Sequence, residues 1–211
     1  MTTTRIETVI EPAQSLALVD LATAKDELGI AADNTAQDAR LNRYIAQASS
    51  LIHGYCRRVF PVQTYRNAFL RRWRPWAQID PLVLSARPVT DILGISEEGT
   101  LLDPVDYEPD FRNGMIWRAA PGLLRCGWYG QEVIVDFKAG FATIPDGVQA
   151  AALRLIVMQQ SIRGRDPFLK VREGPTYGRE EFWVGNLPML DAGLPQDVAQ
   201  SLADYVIPSY A

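Results

Sequence analysis

The chain has 211 residues, of which 47% are hydrophobic and 22% charged, and its formal net charge is −4. This size and balance suit one ordinary domain, or one domain carrying an insertion, and they exclude global disorder, a coiled coil and a basic protein built to grip phosphates. With one histidine and two cysteines far apart in sequence, a His-rich metal site, a multi-histidine acid–base centre and a disulfide scaffold are excluded by counting.

No apolar run approaches the roughly 20 residues of a membrane span. Met1 to Val19 holds Arg5 but no apolar stretch leading to a small-residue cleavage site, so no signal peptide is read and synthesis in the cytoplasm is expected.

Residues 1–17 read as an extended arm, rich in threonine and charge, with Pro12 resisting helix. A short helix is expected over Leu21–Leu28, capped by Asp20 and ended by a left-handed Gly29. The long helix is expected over Ala36–Arg57, with Thr35 and Asp38 resembling a capping box. Its apolar stripe is Leu41, Tyr44, Ile45, Ala48, Leu51, Ile52 and Tyr55, with Arg43, Ser50 and Arg57 opposite.

From Thr64 to Phe137 the segments shorten and fill with Val, Ile, Tyr, Phe and Trp. Strands are expected at Tyr65–Arg72, Leu82–Leu84, Val89–Ile95, Asp106–Glu108, Met115–Trp117 and Glu132–Phe137, with turns at Glu98-Gly99 and Asn113-Gly114. Helix returns at Pro145, a residue suited to a first helical position. Val148, Ala152, Leu155, Ile156, Gln159 and Ile162 mark its buried side. Arg165–Gly193 has no helical period yet carries Phe168, Phe182, Trp183 and Val184. A last helix starts near Pro195, with Val198, Leu202, Tyr205 and Val206 along one side and Pro208 stopping it.

The expected fold is therefore α+β and mainly α: an antiparallel helix core with a small antiparallel β insertion between the second and third main helices. Residues 1–17 form an arm, 18–163 the helical domain with its β insertion at about 64–138, and 164–211 an extended loop with a terminal helix.

Candidate chemistry thins out on inspection. His53 lies beside the apolar stripe, and no GxSxG elbow exists to give it a nucleophile. Cys56 reads as a small buried hydrophobe, since Arg57 and Arg58 point elsewhere on a helix and would not stabilise a thiolate. Asp103, Asp106, Glu108 and Asp110 lack the spacing of a calcium loop. Neither GxGxxG nor GxxxxGK[ST] occurs. No catalytic residue, metal site or cofactor is expected, and the chain is read as a non-enzyme. The run Phe69 to Trp76 interleaves Arg71, Arg72 and Arg74 with Trp73 and Trp76. Such residues suit a protein interface or core, and the alternative is a nucleic-acid-binding regulatory protein that stacks bases on them.

The order of elements resembles the head–tail connector (adaptor) proteins of long-tailed phages and gene transfer agents. The stretches that carry the resemblance are Leu18 to Leu28; Asp38 to Ala48 with Ile52, Tyr55, Arg58 and Phe60; Pro88-Val89 with Ile92 and Ile95; Tyr107; Gly114 to Trp117; Val133 to Phe141; and Pro145. The resemblance implies a structural subunit of a ring, expected to be dodecameric, below the portal protein in the particle neck. Its partners would be the portal, neighbouring adaptor subunits and a stopper or other neck or tail protein, with DNA as passing cargo and no membrane. It further implies intersubunit contacts through Arg43, Arg57, Arg58, Arg71, Arg72 and Trp73. Portal docking would use Phe182, Trp183, Val198, Leu202, Tyr205 and Val206.

Overall fold

The computed structural model describes residues 3–71, 80–120, 123–162, 171–174, 178–181 and 194–207. The chain divides into two compact units, Met1–Ser15 with Arg58–Thr143, and Leu16–Arg57 with Ile144–Ala211.

Among its described residues the first unit is all β apart from a 3-10 turn at Pro104–Asp106. Its strands are β1 (Thr3–Glu11), β2 (Gln63–Arg71), β3 (Leu82–Val83), β4 (Val89–Glu97), β5 (Thr100–Leu101), β6 (Tyr107–Asp110), β7 (Met115–Ala120), β8 (Leu123–Cys126) and β9 (Glu132–Ala139). One antiparallel sheet has the order β1-β2-β9-β4-β5, and a second has the order β3-β7-β6 with β8 also on β7.

Alternation decides the inner face. Tyr65 and Phe69 of β2 and Val133, Val135 and Phe137 of β9 are all buried, and they cluster with Leu82, Leu84, Ile95, Ile116 and Trp128. The Tyr65 and Phe137 rings stack at 5.6 Å. Burial, and then the charge of Glu7, push the Tyr65 hydroxyl up to about 12. Between these apolar residues sits Asn67, fully buried. Its Oδ1 accepts from the Ser85 N–H at 2.8 Å and its Nδ2 donates to Ser85 Oγ at 2.9 Å, so the polar side chain is satisfied and pins the segment after β3 to the sheet.

Turn chemistry follows residue type. Glu98 and Gly99 both have positive φ, 50° and 77°, as a tight hairpin between β4 and β5 requires. Gly140 ends β9 at φ 127°, and a Cβ there would stand 2.6 Å from the Pro61 carbonyl oxygen. That approach lets the Phe141 N–H donate to the Phe60 carbonyl at 2.6 Å and stacks the two rings at 5.8 Å.

The second unit holds α1 (Leu21–Glu27), α2 (Asp38–Cys56), α3 (Asp146–Ile162), α4 (Gln196–Ser201) and a hairpin of β10 (Val171–Gly174) and β11 (Gly178–Glu181). Asp20 caps α1 by accepting the Thr23 N–H at 2.7 Å. That hydrogen bond holds the Asp20 carboxyl below its usual value. In α2, Leu41, Ile45, Ala48, Ile52 and Cys56 are buried at helical spacing. Val148, Ala151, Ala152, Leu155 and Ile156 do the same in α3. Lys25 is buried too; its ammonium pairs with Asp38 at 2.7 Å and donates to the Ala32 carbonyl at 3.1 Å. This arrangement stations α1 against the start of α2.

Several expectations are corrected. The chain is about 34% helix and 33% strand, so it is not mainly helical. The shortfall arose because β1 shows no clean apolar alternation and because β5 and β8 are short. The hairpin β10–β11 lies inside the segment read as structureless, where paired strands sit between glycines. No capping box forms before α2: the helix starts at Asp38, after Gln37, which makes no side-chain cap, and Asp38 is drawn to Lys25. Leu51 is 38% exposed and leaves the stripe, while Ser49 is buried and accepts the Leu18 N–H at 3.1 Å. The last helix ends at Ser201 and is followed by a 3-10 turn at Ala203–Tyr205 with Val206 extended, so it stops before Pro208, which lies outside the described residues.

Two outcomes follow for stability. Gly140→Ala forces a Cβ into backbone at a disfavoured φ, and should cost more than about 2 kcal/mol in urea unfolding. Gly54 is an exposed helical glycine, and a Cβ added to it would meet nothing within 4 Å, so Gly54→Ala should stabilise by about 0.5–1 kcal/mol in the same assay.

Candidate assembly surfaces

No three His, Cys, Asp or Glu side chains gather to hold a metal ion among the described residues. Nor is any described helix long and apolar enough to cross a membrane. His53 Nε2 lies 2.9 Å from the Leu16 carbonyl oxygen, and Cys56 and Cys126 are both buried.

The outer face of the five-stranded sheet carries a row of cross-strand partners. Ile6 faces Ala68, Ala68 faces Ile134, Ile134 faces Ser96, and Ser96 faces Leu101. The row spans all five strands and its ends are open, Ile6 being 49% and Leu101 73% exposed. One register step away, Arg66 grips Asp136 through two hydrogen bonds of 2.7 Å. That pairing raises the hold of Arg66 on its proton.

The second sheet is laced by arginines. Arg125 makes two 2.9 Å hydrogen bonds to Glu108 and lies 4.0 Å over the Trp117 ring. The hydrogen bonds from Arg125 lower the affinity of Glu108 for its proton. Arg118 donates to Glu97 at 3.2 Å and to the Ala119 carbonyl at 2.8 Å, with Asp106 at 3.5 Å. Asp110 accepts from the Asn113 N–H at 3.0 Å and side-chain amide at 2.7 Å, which lowers its proton affinity. The cluster expected as a solvated acidic loop is thus matched charge for charge at Asp106 and Glu108, and closed by a turn at Asp110.

Glu97 does a second task that sequence reasoning missed. Its Oε1 accepts the N–H groups of Tyr129 and Gly130, both at 2.8 Å, while Glu98 Oε1 accepts those of Gln131 and Glu132. Two adjacent carboxylates hold the loop before β9. A Cβ on Gly130 would stand 2.7 Å from Glu97 Cγ and would push that side chain aside. The sequence offered only an adjacent Glu97-Glu98 and, far along the chain, a Gly127-Trp128-Tyr129-Gly130 turn.

The residues expected to make contacts distribute unevenly. Arg43 and Arg57 are exposed on or just after α2, and Arg57 takes the left-handed conformation, φ 52°, that ends the helix. Arg58 is half-buried, its guanidinium 6.0 Å from the centre of the Phe60 ring. Arg71 ends β2, whereas Arg72, Trp73, Arg74 and Trp76, and with them most of the nucleic-acid alternative, lie outside the described residues, as do Phe168, Phe182, Trp183 and Val184. Val198 and Leu202 are buried, at 1% and 0%, and serve the core of their own unit. Tyr205 and Val206 are half-buried.

With this geometry in hand, comparison with known proteins is informative. Residues 18–74 match the family model described as phage gp6-like head-tail connector protein, the resemblance that the sequence suggested. No curated protein matches the chain. Among solved structures, a chain of the neck of an empty gene transfer agent (GTA) particle, computed with C6 symmetry, has a TM-score of 0.58 at 20% identity over 98% of this chain and 97% of that one. A chain of the neck of the native particle, computed with C12 symmetry, gives 0.56 at 19% identity over 98% and 97%. A chain of the virion of the native gene transfer agent gives 0.58 at 18% identity over 98% and 97%. The fold is shared along essentially the whole of both chains.

The Arg118 knot makes a direct test of what holds the second sheet. Its side chain and that of Glu97 are 16% and 12% exposed. Arg118→Ala takes the cation from Glu97, which keeps its two backbone N–H donors, and from Asp106, and should cost about 1–3 kcal/mol in thermal unfolding.

Proposed function

We propose that this chain is a structural subunit of the neck of a tailed phage or gene transfer agent particle, a head–tail connector that forms a ring and continues the DNA channel between portal and tail. The observation that carries the reading is the end-to-end match in fold to neck chains, together with the connector-type segment at residues 18–74. The C6 and C12 symmetries of those necks support a cyclic arrangement, and twelve copies is the number the reading takes. A ring is a heterologous assembly, in which one face of each copy meets a different face of the next.

The physical character of the chain agrees. Each phosphate neutralised by Lys or Arg adds salt-dependent affinity, so a channel through which DNA slides gains from withholding free cations. The net charge is −4, and Arg66, Arg118 and Arg125 are committed to Asp and Glu of the same unit. No reaction is assigned to the chain; it acts by occupying its place.

Within this reading, Arg43 and Arg57 meet neighbouring subunits. The portal is met by the C-terminal part, through Tyr205, Val206, Phe182 and Trp183. Stopper or other neck proteins lie on the tail side.

The test is electron microscopy of particles from a producing cell in which the chain carries a small tag. Label at the collar between shell and tail is expected; label elsewhere overturns the reading. Arg43→Glu should cut incorporation by at least tenfold while the free chain melts within about 2 °C of the wild type, because an exposed charge reversal scarcely touches stability. Full incorporation would remove Arg43 from the interface.

A further inference from the structure

The two edges of the five-stranded sheet are treated differently. The β4 side is guarded: β5 is only two residues long, β4 is broken by irregularities between Val89 and Asp91 and between Ile92 and Gly94, and the Val89 N–H is taken by the Phe111 carbonyl at 3.0 Å. Such devices stop a sheet from adding foreign strands. The β1 side carries no such break over Thr3–Val9; its guard is charge, with Arg5 and Glu7 on the inner face opposite Phe69 and Asn67, and a mate that pairs those charges removes it. β1 pairs with β2 alone among the described residues, contains no Pro, Gly or Lys, and is exposed from Thr4 to Glu11. Its only irregularity falls between Val9 and Glu11 and leaves Thr3–Val9 as the regular stretch.

That stretch is self-complementary. A strand meeting its own copy antiparallel across a twofold axis must centre on a residue, because only residues whose N–H and C=O point the same way can face each other. Centring on Arg5 sets arginine against arginine, and centring on Glu7 sets glutamate against glutamate. Centring on Ile6, the midpoint of Thr3–Val9, sets Arg5 against Glu7 twice, Thr4 against Thr8 twice, and Ile6 against itself. Arg5 already donates to the Val83 carbonyl at 2.9 Å, which anchors its guanidinium and leaves other N–H donors for a carboxylate. Facing residues share a face of the sheet. The row Leu101, Ser96, Ile134, Ala68, Ile6 then runs on into its mate as one band across both sheets.

We propose that β1 is a homotypic docking edge: two copies of this chain pair antiparallel through Thr3–Val9, in the register centred on Ile6, and close into a twofold dimer. The proposal rests on the edge and not on the neck reading: neighbours in a cyclic ring are not related by a twofold axis, so the dimer is a state of the free chain, and its test needs no particle.

Sedimentation velocity of the full-length chain across the micromolar range is expected to show a monomer–dimer equilibrium. Arg5→Glu and Glu7→Arg should each weaken the dimer about tenfold, since each turns two attractive cross-strand pairs into repulsive ones. The double variant carrying both changes should return to within about threefold of the wild type. Under mild oxidation Ile6→Cys should cross-link to a dimer, as facing Cα atoms lie within disulfide reach, while Thr4→Cys, which faces Thr8, should not. Cys56 and Cys126 are buried, so the wild-type background is low. A chain that stays monomeric throughout, a larger ring in which Ile6→Cys fails to cross-link, or a dimer indifferent to both charge reversals would each overturn the proposal.

Discussion

The pairing of β2 with β9 is the constraint on which the β unit depends. It joins Gln63–Leu70 to Glu132–Ala139 in unbroken register across a long loop of chain. Every other strand of that sheet takes its face from this ladder. Because strand side chains alternate, fixing Tyr65 against Phe137 and Phe69 against Val133 also fixes which residues look outward. The inward set builds the core with the second sheet. The outward set becomes the apolar row and the Arg66–Asp136 clasp. A slip of one residue would exchange core and surface at once.

Two features protect that register. Gly140 lets the chain leave β9 so close to Pro61 that the two segments share a hydrogen bond and a ring stack. Asn67 carries polar specificity into an apolar interior, since an unsatisfied amide there would cost about 1–3 kcal/mol and only the segment at Ser85 satisfies it. The helical unit uses a different device. Lys25 and Asp38 form a pair with little access to water, and a charge so placed must keep its partner.

What the sequence disclosed depended on how one-sided each element is. α2 and α3 were legible because Leu41, Ile45, Ala48 and Ile52, and Val148, Ala152, Leu155 and Ile156, repeat at helical spacing. β2 and β9 were legible because their inner residues are large and apolar. β1 was not, since an edge strand exposed along its length has no reason to alternate, and Thr-Arg-Ile-Glu-Thr-Val reads equally as a solvated arm. The balance between helix and strand was misjudged for the same reason. The surfaces were harder still. Arg43 could be placed outward from spacing alone, but the burial of Val198 and Leu202 needed the packing of α4, and the roles of Glu97 and Glu98 needed a loop more than thirty residues away.

The two thiols have a consequence for the life of the molecule after it leaves a reducing environment. Cys56 is 0% and Cys126 8% exposed, and they sit in different units. A sulfur so enclosed can neither attack nor be attacked by another chain, so oxidation does not weld neighbours together. Contacts between copies of this chain are then made without intermolecular disulfides.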